Sequence, residues 1–522
     1  MNELNTRDRA TALEILNNPE SKWAVMRQGE RLKITKRPSV SRQYDAGRVD
    51  RLTENWTGGF ASTGDSDIYQ AAKVILQRAR DLEENNDFVE KFLHELEVNI
   101  IGHTGIRLNS MPKNGDGTVD KLAKKAIESA WKRQNIPENY TVTRDTSGPE
   151  TDRISIRTVA RDGEMIKREV KGIDNEFGFA IHPLESDQLD IHLNGKAPET
   201  GNELRMGVEL NEWKMPIAYW IDTDHPGDLY FWSRINNKIR VRVPANEIHF
   251  LKKKKRFTQT RGVSWIVTAM RRLRMLGGYE EAELVAATTA AAKMAFFTRI
   301  PGEGAGYGGD EENREPIRMD AEPGLMEELP VGVGIEKFDP QHPTQAFPDF
   351  RKAMLRGAAV GLGGPGYNTL AGDLEGVNYS SLREGKLSER DGYKIIQDWY
   401  IKSDKDPIFR SWLKHSLDFG LIKLDNGQPL PASRFQKFLN AEFKGRTWQW
   451  VDPEKDVKGL ALLRENNWRS DRDIVEGIGD DYETVLDEIE ADEKEKEARG
   501  IKSAPKRPNQ TKPAVQVEES QG

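Results

Sequence analysis

Three features of this sequence predict an α+β fold that is mainly helical. Apolar residues fall at helical spacing between residues 66 and 132. Period-two alternation broken by turn residues runs from Tyr140 to about Phe250. Helical spacing then resumes after Gly262 and holds, with interruptions, to about Arg499.

Taken in order, residues 1–60 are polar and Arg-rich, with apolar islands at Trp23 and Trp56, and read as an N-terminal arm. Ile68, Ala71, Ile75, Ala79 and Leu82 form the first helical stripe, with Ser66 or Asp67 as the expected N-cap. Asn85-Asn86 interrupts it. Phe88, Phe92, Leu96 and Ile100 form a second stripe that stops near Gly102, and a third helix is expected from Asp120 to Lys132 through Leu122, Ala126, Ile127 and Ala130. Between Tyr140 and Phe250, strands are expected where Ile154, Ile156 and Thr158 alternate with polar residues and where Ile217, Tyr219 and Ile221 follow Pro216. Asn236-Asn237-Lys238 reads as a hairpin turn into Ile239–Val243. A long helix is expected from Arg261 towards Arg299, then a Gly-, Pro- and acid-rich stretch to Gln345. A helix through Phe347, Phe350, Met354, Ala358 and Leu362 follows, and then a Gly-rich loop to Ser380. Further helices run through Trp399 and from Pro407 to Ile422, and a last one ends near Arg499. The polar tail after Gly500 reads as disordered.

The composition narrows the function. The 522 residues suggest several domains at roughly 150 residues each, and 78 basic against 85 acidic residues leave a net charge of −7. The hydrophobic share is 36% and the mean hydropathy −0.72. No run approaches the ~18 apolar residues of a membrane helix, and Met1-Asn2-Glu3-Leu4-Asn5 does not open a signal peptide, so folding in a cytoplasm is expected. With no cysteine, disulfides, thiol catalysis and thiolate metal sites are excluded. Net acidity argues against tight wrapping of nucleic acid, which needs an excess of Lys and Arg, but permits a surface that lets nucleic acid pass.

Candidate chemistry is sparse. Gly304-Ala305-Gly306-Tyr307-Gly308-Gly309 and Gly361-Leu362-Gly363-Gly364-Pro365-Gly366 match a G-x-G-x-x-G pattern, but neither follows a strand and the first runs into Asp310-Glu311-Glu312, so both read as loops. Asp222-Thr223-Asp224-His225-Pro226-Gly227-Asp228 can be drawn as a metal cluster, although Asp, Pro and Gly also make a tight turn. His94-Glu95 lacks the second histidine of a zinc-protease helix and reads as part of a core face. His182 and His249 stand in strand contexts, and no catalytic residue, metal site or cofactor site is predicted. Lys252–Arg256 is a run of five cations, either a solvated loop or a contact for phosphate or an acidic partner. Asp480–Arg499 is the converse, an acid-rich helix with Val485 and Ile489 as its packing stripe.

Three ordered blocks resemble the lambda-type portal proteins of tailed bacteriophages. The first is Ala79-Arg80-Asp81-Leu82, Asn85-Asn86 and Asn99-Ile100-Ile101-Gly102-His103-Thr104-Gly105-Ile106-Arg107-Leu108. The second is Ile248-His249 with Gln259-Thr260-Arg261-Gly262-Val263-Ser264. The third runs from Arg469-Ser470 to Gly500. The stretches 140–213 and 302–334 depart from that family's pattern.

The resemblance implies a ring, usually a dodecamer, at one capsid vertex of the virion, assembled in the host cytoplasm. Double-stranded DNA is packaged through it by the terminase large subunit and later ejected through it. Its other partners would be the head–tail connector (neck) proteins and the major capsid and scaffold proteins, with no membrane. The implied parts are an arm (1–60), an α/β wing (61–260), a first stem helix (261–297), a clip (298–344), a second stem helix (345–362), a tunnel loop (363–381), wing-side helices (382–445), a helical crown (446–500) and a tail (501–522). Gly364, Asn368, Thr369, Asn378 and Tyr379 of the tunnel loop would face DNA as small or uncharged contacts, with glycines that let the backbone move. Asp310, Glu311, Glu312 and Glu315 of the clip would face terminase and neck. The competing classes are a metal-dependent nuclease built on Asp222–Asp228 and a non-channel structural adaptor.

Overall fold

A computed structural model describes residues 23–28, 31–36, 62–227, 239–291, 295–299, 333–337, 346–448, 453–478 and 482–500. The chain divides into two units, Met1–Ser62 and Thr63–Gly522. In the first, β1 (Trp23–Gln28) pairs antiparallel with β2 (Arg31–Lys36), so the expected arm contains a hairpin.

The second unit begins with α1 (Gly64–Asn85). Its N-cap is Thr63, whose hydroxyl accepts the Ser66 N–H, rather than Ser66 or Asp67. Asn86 ends α1 and caps α2 (Asp87–Leu96) by accepting the Val89 N–H. The chain then widens into a π turn, Glu97–Ile101, closed by Gly102 at φ 74°. His94 itself points to solvent, between the buried Phe92, Leu93 and Leu96. After β3 (Arg107–Ser110), Asp120 caps α3 (Lys121–Gln134). A single turn, α4 (Pro137–Tyr140), follows.

The expected strand at Ile154–Thr158 is instead α5 (Gly148–Asp162). Ser147 and Glu150 form a reciprocal capping box, Pro149 occupies the first turn, and Gly163 terminates the helix at φ 96°. Ile156 and Val159 are buried while Ile154 is half exposed. The alternation was a coincidence of spacing on a helix.

Two antiparallel sheets follow. One has the order β11 (Ile248–Lys252), β4 (Glu164–Lys171), β5 (Phe179–Leu184), which puts His249 and His182 on strands as expected. The other has the order β10 (Arg240–Pro244), β9 (Pro216–Asp222), β8 (Val208–Leu210), β7 (Glu203–Arg205), β6 (Gly195–Lys196). The predicted turn at 236–238 lies outside the described residues, but the strands on either side of it pair, with Val241 opposite Ile221.

Beyond these, α6 (Val267–Ala291) and α7 (Phe347–Leu362) are long helices, linked outward to β12 (Ala295–Arg299) and β13 (Val333–Lys337), which pair antiparallel. The expected first stem helix thus begins at Val267, and its last residues are strand. Next come α8 (Tyr367–Ala371), then α9 (Tyr379–Tyr400), a second π turn (Ile401–Lys405) and α10 (Asp406–Asp418) as one continuous rod. Pro407, which has no N–H to give, falls in the first turn of α10, and the rod ends at Asp418, short of Ile422. α11 (Phe435–Phe438) and β14 (Ala441–Lys444), paired with β3, precede the last helices: α12 (Pro453–Glu465), α13 (Asp471–Ile478) and α14 (Tyr482–Ala498).

Buried side chains group by element. Leu82, Phe92, Leu96, Val159, Leu273, Leu355 and Tyr400 join α1, α2, α5, α6, α7 and α9. Trp131, Phe179, Phe409 and Trp412 join α3, β5 and α10, where Trp131 and Trp412 meet edge to face at 4.9 Å. Val208, Tyr219, Ile221 and Val243 seal the larger sheet against β4.

Candidate functional site

The segment singled out by the sequence joins α7 to α9, and the helix pair α6–α7 positions it. These helices run antiparallel: the Thr268 hydroxyl donates to the Gly361 carbonyl at one end, while Arg351 pairs with Glu280 and Tyr279 packs on Phe347 at the other. A Cβ at Gly357 would fall 1.5 Å from the Arg272 guanidinium, so that side chain lies directly across the α7 backbone.

The joining segment is more ordered than a loop. Gly363 stops α7 at φ 66°, Gly366 caps α8, Gly372 stops it at φ 65°, and Asn378 caps α9 by accepting the Ser381 N–H at 2.8 Å. The expected loop 363–381 therefore contains a helical turn and ends three residues early. Gly364 is packed rather than free, since a Cβ there would meet the Phe92 ring at 2.9 Å.

The segment itself carries no cation, but its neighbours lay cations over it. The Arg356 guanidinium covers the Tyr367 ring at 5.2 Å, and Lys352 pairs with Glu375 at 3.0 Å. The Tyr367 hydroxyl donates to Asp373 at 2.7 Å and holds that carboxyl below its ordinary range. Glu389 of α9 accepts from the Gly366 N–H at 2.7 Å and from the Thr369 hydroxyl at 2.8 Å, while Lys386 donates to the same hydroxyl at 2.7 Å.

Gly364, Asn368 and Thr369 line one cleft of about 670 Å³ with Arg356, Lys386 and Glu389. Asn378 and Tyr379 stand apart from it at the start of α9, both exposed. Sequence reasoning missed Glu389 and Lys386; their i, i+3 spacing was the available signal. Asp310, Glu311, Glu312 and Glu315 lie outside the described residues.

The Asp222–Asp228 stretch does not assemble as drawn. Asp222 is buried at the end of β9 and bound by Arg240 at 2.7 Å, and Asp228 lies outside the described residues. His225 joins Glu185 and Asp187 instead, with ligand atoms within 4.8 Å of one another. That grouping does not suit a cation. Arg80 already fills it, with Nη2 at 2.6 Å from Asp187, 3.2 Å from Glu185 and 2.9 Å from Asp162. His225 Nδ1 accepts the Gly227 N–H at 3.1 Å, and its Nε2 lies 3.4 Å from the Glu185 carboxylate.

The model of the lambda family of phage portal proteins matches residues 50–397. A relative from Halomonas phage phiHAP-1, named "Probable portal protein", is 35% identical over 463 residues, 88% of this chain and 87% of the relative. The chain belongs to the lambda family of phage portal proteins. Among solved structures, a chain of the virion of the native gene transfer agent particle is 12% identical at TM-score 0.42, covering 82% of this chain and 97% of its own. A chain of the neck of the empty particle is 13% identical at TM-score 0.42, covering 82% and 98%.

In this portal protein the residues that carried the resemblance hold junctions together. Arg80 binds the buried Asp162, and Asn86 caps α2. Arg261 is buried, pairs with Glu164, and donates to the carbonyls of Leu189 and Met206 at 2.8 Å each. Gly262 allows a close backbone approach: a Cβ there would lie 2.1 Å from the Gly163 carbonyl oxygen.

Proposed function

We propose that this portal protein forms a closed ring, a dodecamer, at one capsid vertex of the virion, and acts there as a passive conduit for double-stranded DNA. DNA enters under the terminase motor and leaves at ejection. The observation that carries the reading is the antiparallel pair α6–α7, whose far ends continue into the strand pair β12–β13. One chain thereby supplies two lining helices and a pair of strands, between which residues 300–332 fall in the sequence.

On this reading α6 and α7 are the stem, 298–344 the clip that docks terminase and then neck, and 363–381 the tunnel segment. Residues 61–260 and 382–445 are the wing, with 446–500 the crown. Capsid and scaffold proteins surround the ring, and the host cytoplasm is where it assembles. The protein performs no catalysis; the work of packaging comes from the motor.

Duplex DNA carries about one negative charge per ~1.7 Å, so a dense basic lining would hold it. The cations beside the tunnel segment are instead committed to Tyr367, Glu375, Thr369 and Glu389. Asn368, Thr369, Asn378 and Tyr379 are then the DNA-side contacts, with Gly364 fixing the elbow against Phe92.

The test is Asn368→Lys with Thr369→Lys, which adds two cations per subunit. Packaging should slow at low ionic strength and recover towards physiological salt, where charges are screened beyond ~8 Å. An unchanged packaging rate and DNA retention at low salt would remove this segment from the DNA path.

A further inference from the structure

The run of cations at Lys252–Arg256 is not absorbed by the conduit. Lys252 turns inward, over the Phe250 ring at 3.9 Å and onto the Thr260 carbonyl, and its burial lowers its pKa to about 7. The next four side chains and Phe257 are exposed, and Phe257 is wholly so, at 102%.

This loop is held in shape. The buried Gln259 accepts the N–H groups of Lys255 at 2.6 Å and Arg256 at 3.0 Å, and Thr258 accepts the Gly64 N–H at 2.9 Å. Asp65 accepts the Thr260 hydroxyl at 2.7 Å, and Arg256 pairs with Asp67 at 2.8 Å. Among the described residues no carboxylate pairs with Lys253, Lys254 or Lys255. Lys253 stands over the Trp265 ring at 5.3 Å, so the loop presents Lys254 and Lys255 with no carboxylate partner beside one bare aromatic ring.

The complement lies near the C-terminal end of the same chain. Helix α14 carries eight carboxylates against two lysines. Lys494 pairs with Glu490 and Lys496 with Asp492 inside the helix, and among the described residues Glu488, Glu493 and Glu497 have no cation partner. Leu486 and Ile489, 45% and 49% exposed, stand three residues apart among those acids. Of the expected packing stripe, Ile489 is thus open while Val485 is half-buried. Its neighbours within the chain are Lys121 and Arg472, not the basic loop.

We infer that the loop Lys253–Phe257 of one subunit receives the acidic helix Tyr482–Ala498 of the next, with Phe257 set against Leu486 and Ile489. This rests on the ring reading, because a ring closes through two different, complementary faces on each subunit. DNA is the lesser fit: a phosphate backbone would answer the lysines but offers Phe257 no apolar counterpart.

The absence of cysteine allows a direct test. Phe257→Cys with Ile489→Cys, oxidised in the assembled full-length protein, should give a ladder of covalent multimers beyond two subunits. Either single substitution can give at most a dimer. In parallel, reversing the loop (Lys253→Glu, Lys254→Glu, Lys255→Glu) or the helix (Glu488→Lys, Glu493→Lys, Glu497→Lys) should weaken association at least about tenfold by sedimentation velocity. Combining both reversals in one chain should restore it.

A wild-type ring with no ladder, or one indifferent to both reversals, overturns this contact and leaves the ring intact. If loop reversal spares the ring but weakens binding of a duplex probe, the loop is a DNA contact and the inference is wrong. A wild type that stays monomeric across salt and concentration removes the ring reading, and this contact with it. The cysteine variants alter only two exposed positions, so their result stands even if a charge-reversed chain folds poorly.

Discussion

Four charged side chains are enclosed where α5, β4 and the π turn before α10 meet. Lys167 lies 2.8 Å from Asp404, and Lys405 lies 2.7 Å from Asp152, with all four side chains at 2% exposure or less. The Tyr400 hydroxyl donates to Asp152 at 2.9 Å, and Lys405 stands over the rings of Trp131 and Tyr140. Burial pushes the Asp152 carboxyl up, but Lys405 and Lys167 outweigh it and hold the group below its ordinary 3.8. Its contribution to stability is therefore present above that value and lost as pH falls through the lower folded one. Removing one member strands its partner. Lys405→Met should cost about 3–5 kcal/mol in denaturant unfolding, and adding Asp152→Asn should recover part of that. Equal stability of the single and double variants would mean that the ions are not coupled. None of this network was legible in the sequence, where Asp404-Lys405 before a proline looks like a polar loop end. Only the π turn directs both side chains inward.

At the scale of elements, legibility followed the strength of local signals. The stripe Ile68–Leu82 and the break at Asn85-Asn86 were readable because apolar period and cap agree; the structure moves only the first cap, to Thr63. Helix α5 was misread because Ile154, Ile156 and Thr158 mimic a strand, and the deciding signal lay outside that window, in Ser147-Gly148-Pro149-Glu150. The segment between α7 and α9 was readable as glycine-rich but not as folded, since Glu389 and Lys386, which order it, come from the following helix. The two ends of α5 should respond very differently to substitution. Ser147→Ala should cost about 1 kcal/mol, the usual worth of a lost cap. Gly163→Ala should cost well beyond that, because its Cβ would lie 2.3 Å from the Val263 backbone at a φ of 96°. Both are read from denaturant unfolding, and near-equal losses would show that the α5–Val263 junction can relax.

For the molecule as a whole, the first two family blocks mark where the fold is tied together, at Arg80, Gly102, Arg261 and Gly262. The stretch between β12 and β13 is the segment we expect to meet the motor and neck. Its acids, Asp310, Glu311, Glu312 and Glu315 among them, are too dense for a packed interior. The strand pair holds its two ends, with Phe297 opposite Ile335. Shortening the far part should therefore leave that pairing, and the helices behind it, in place. Deleting Gly304–Gly309 should preserve ring mass in sedimentation and the denaturant midpoint, while reducing DNA packaging by lowering affinity for the motor. If the deletion instead abolishes assembly or lowers the midpoint, the segment contributes to the fold or to the ring seam, and the docking surface must be sought elsewhere.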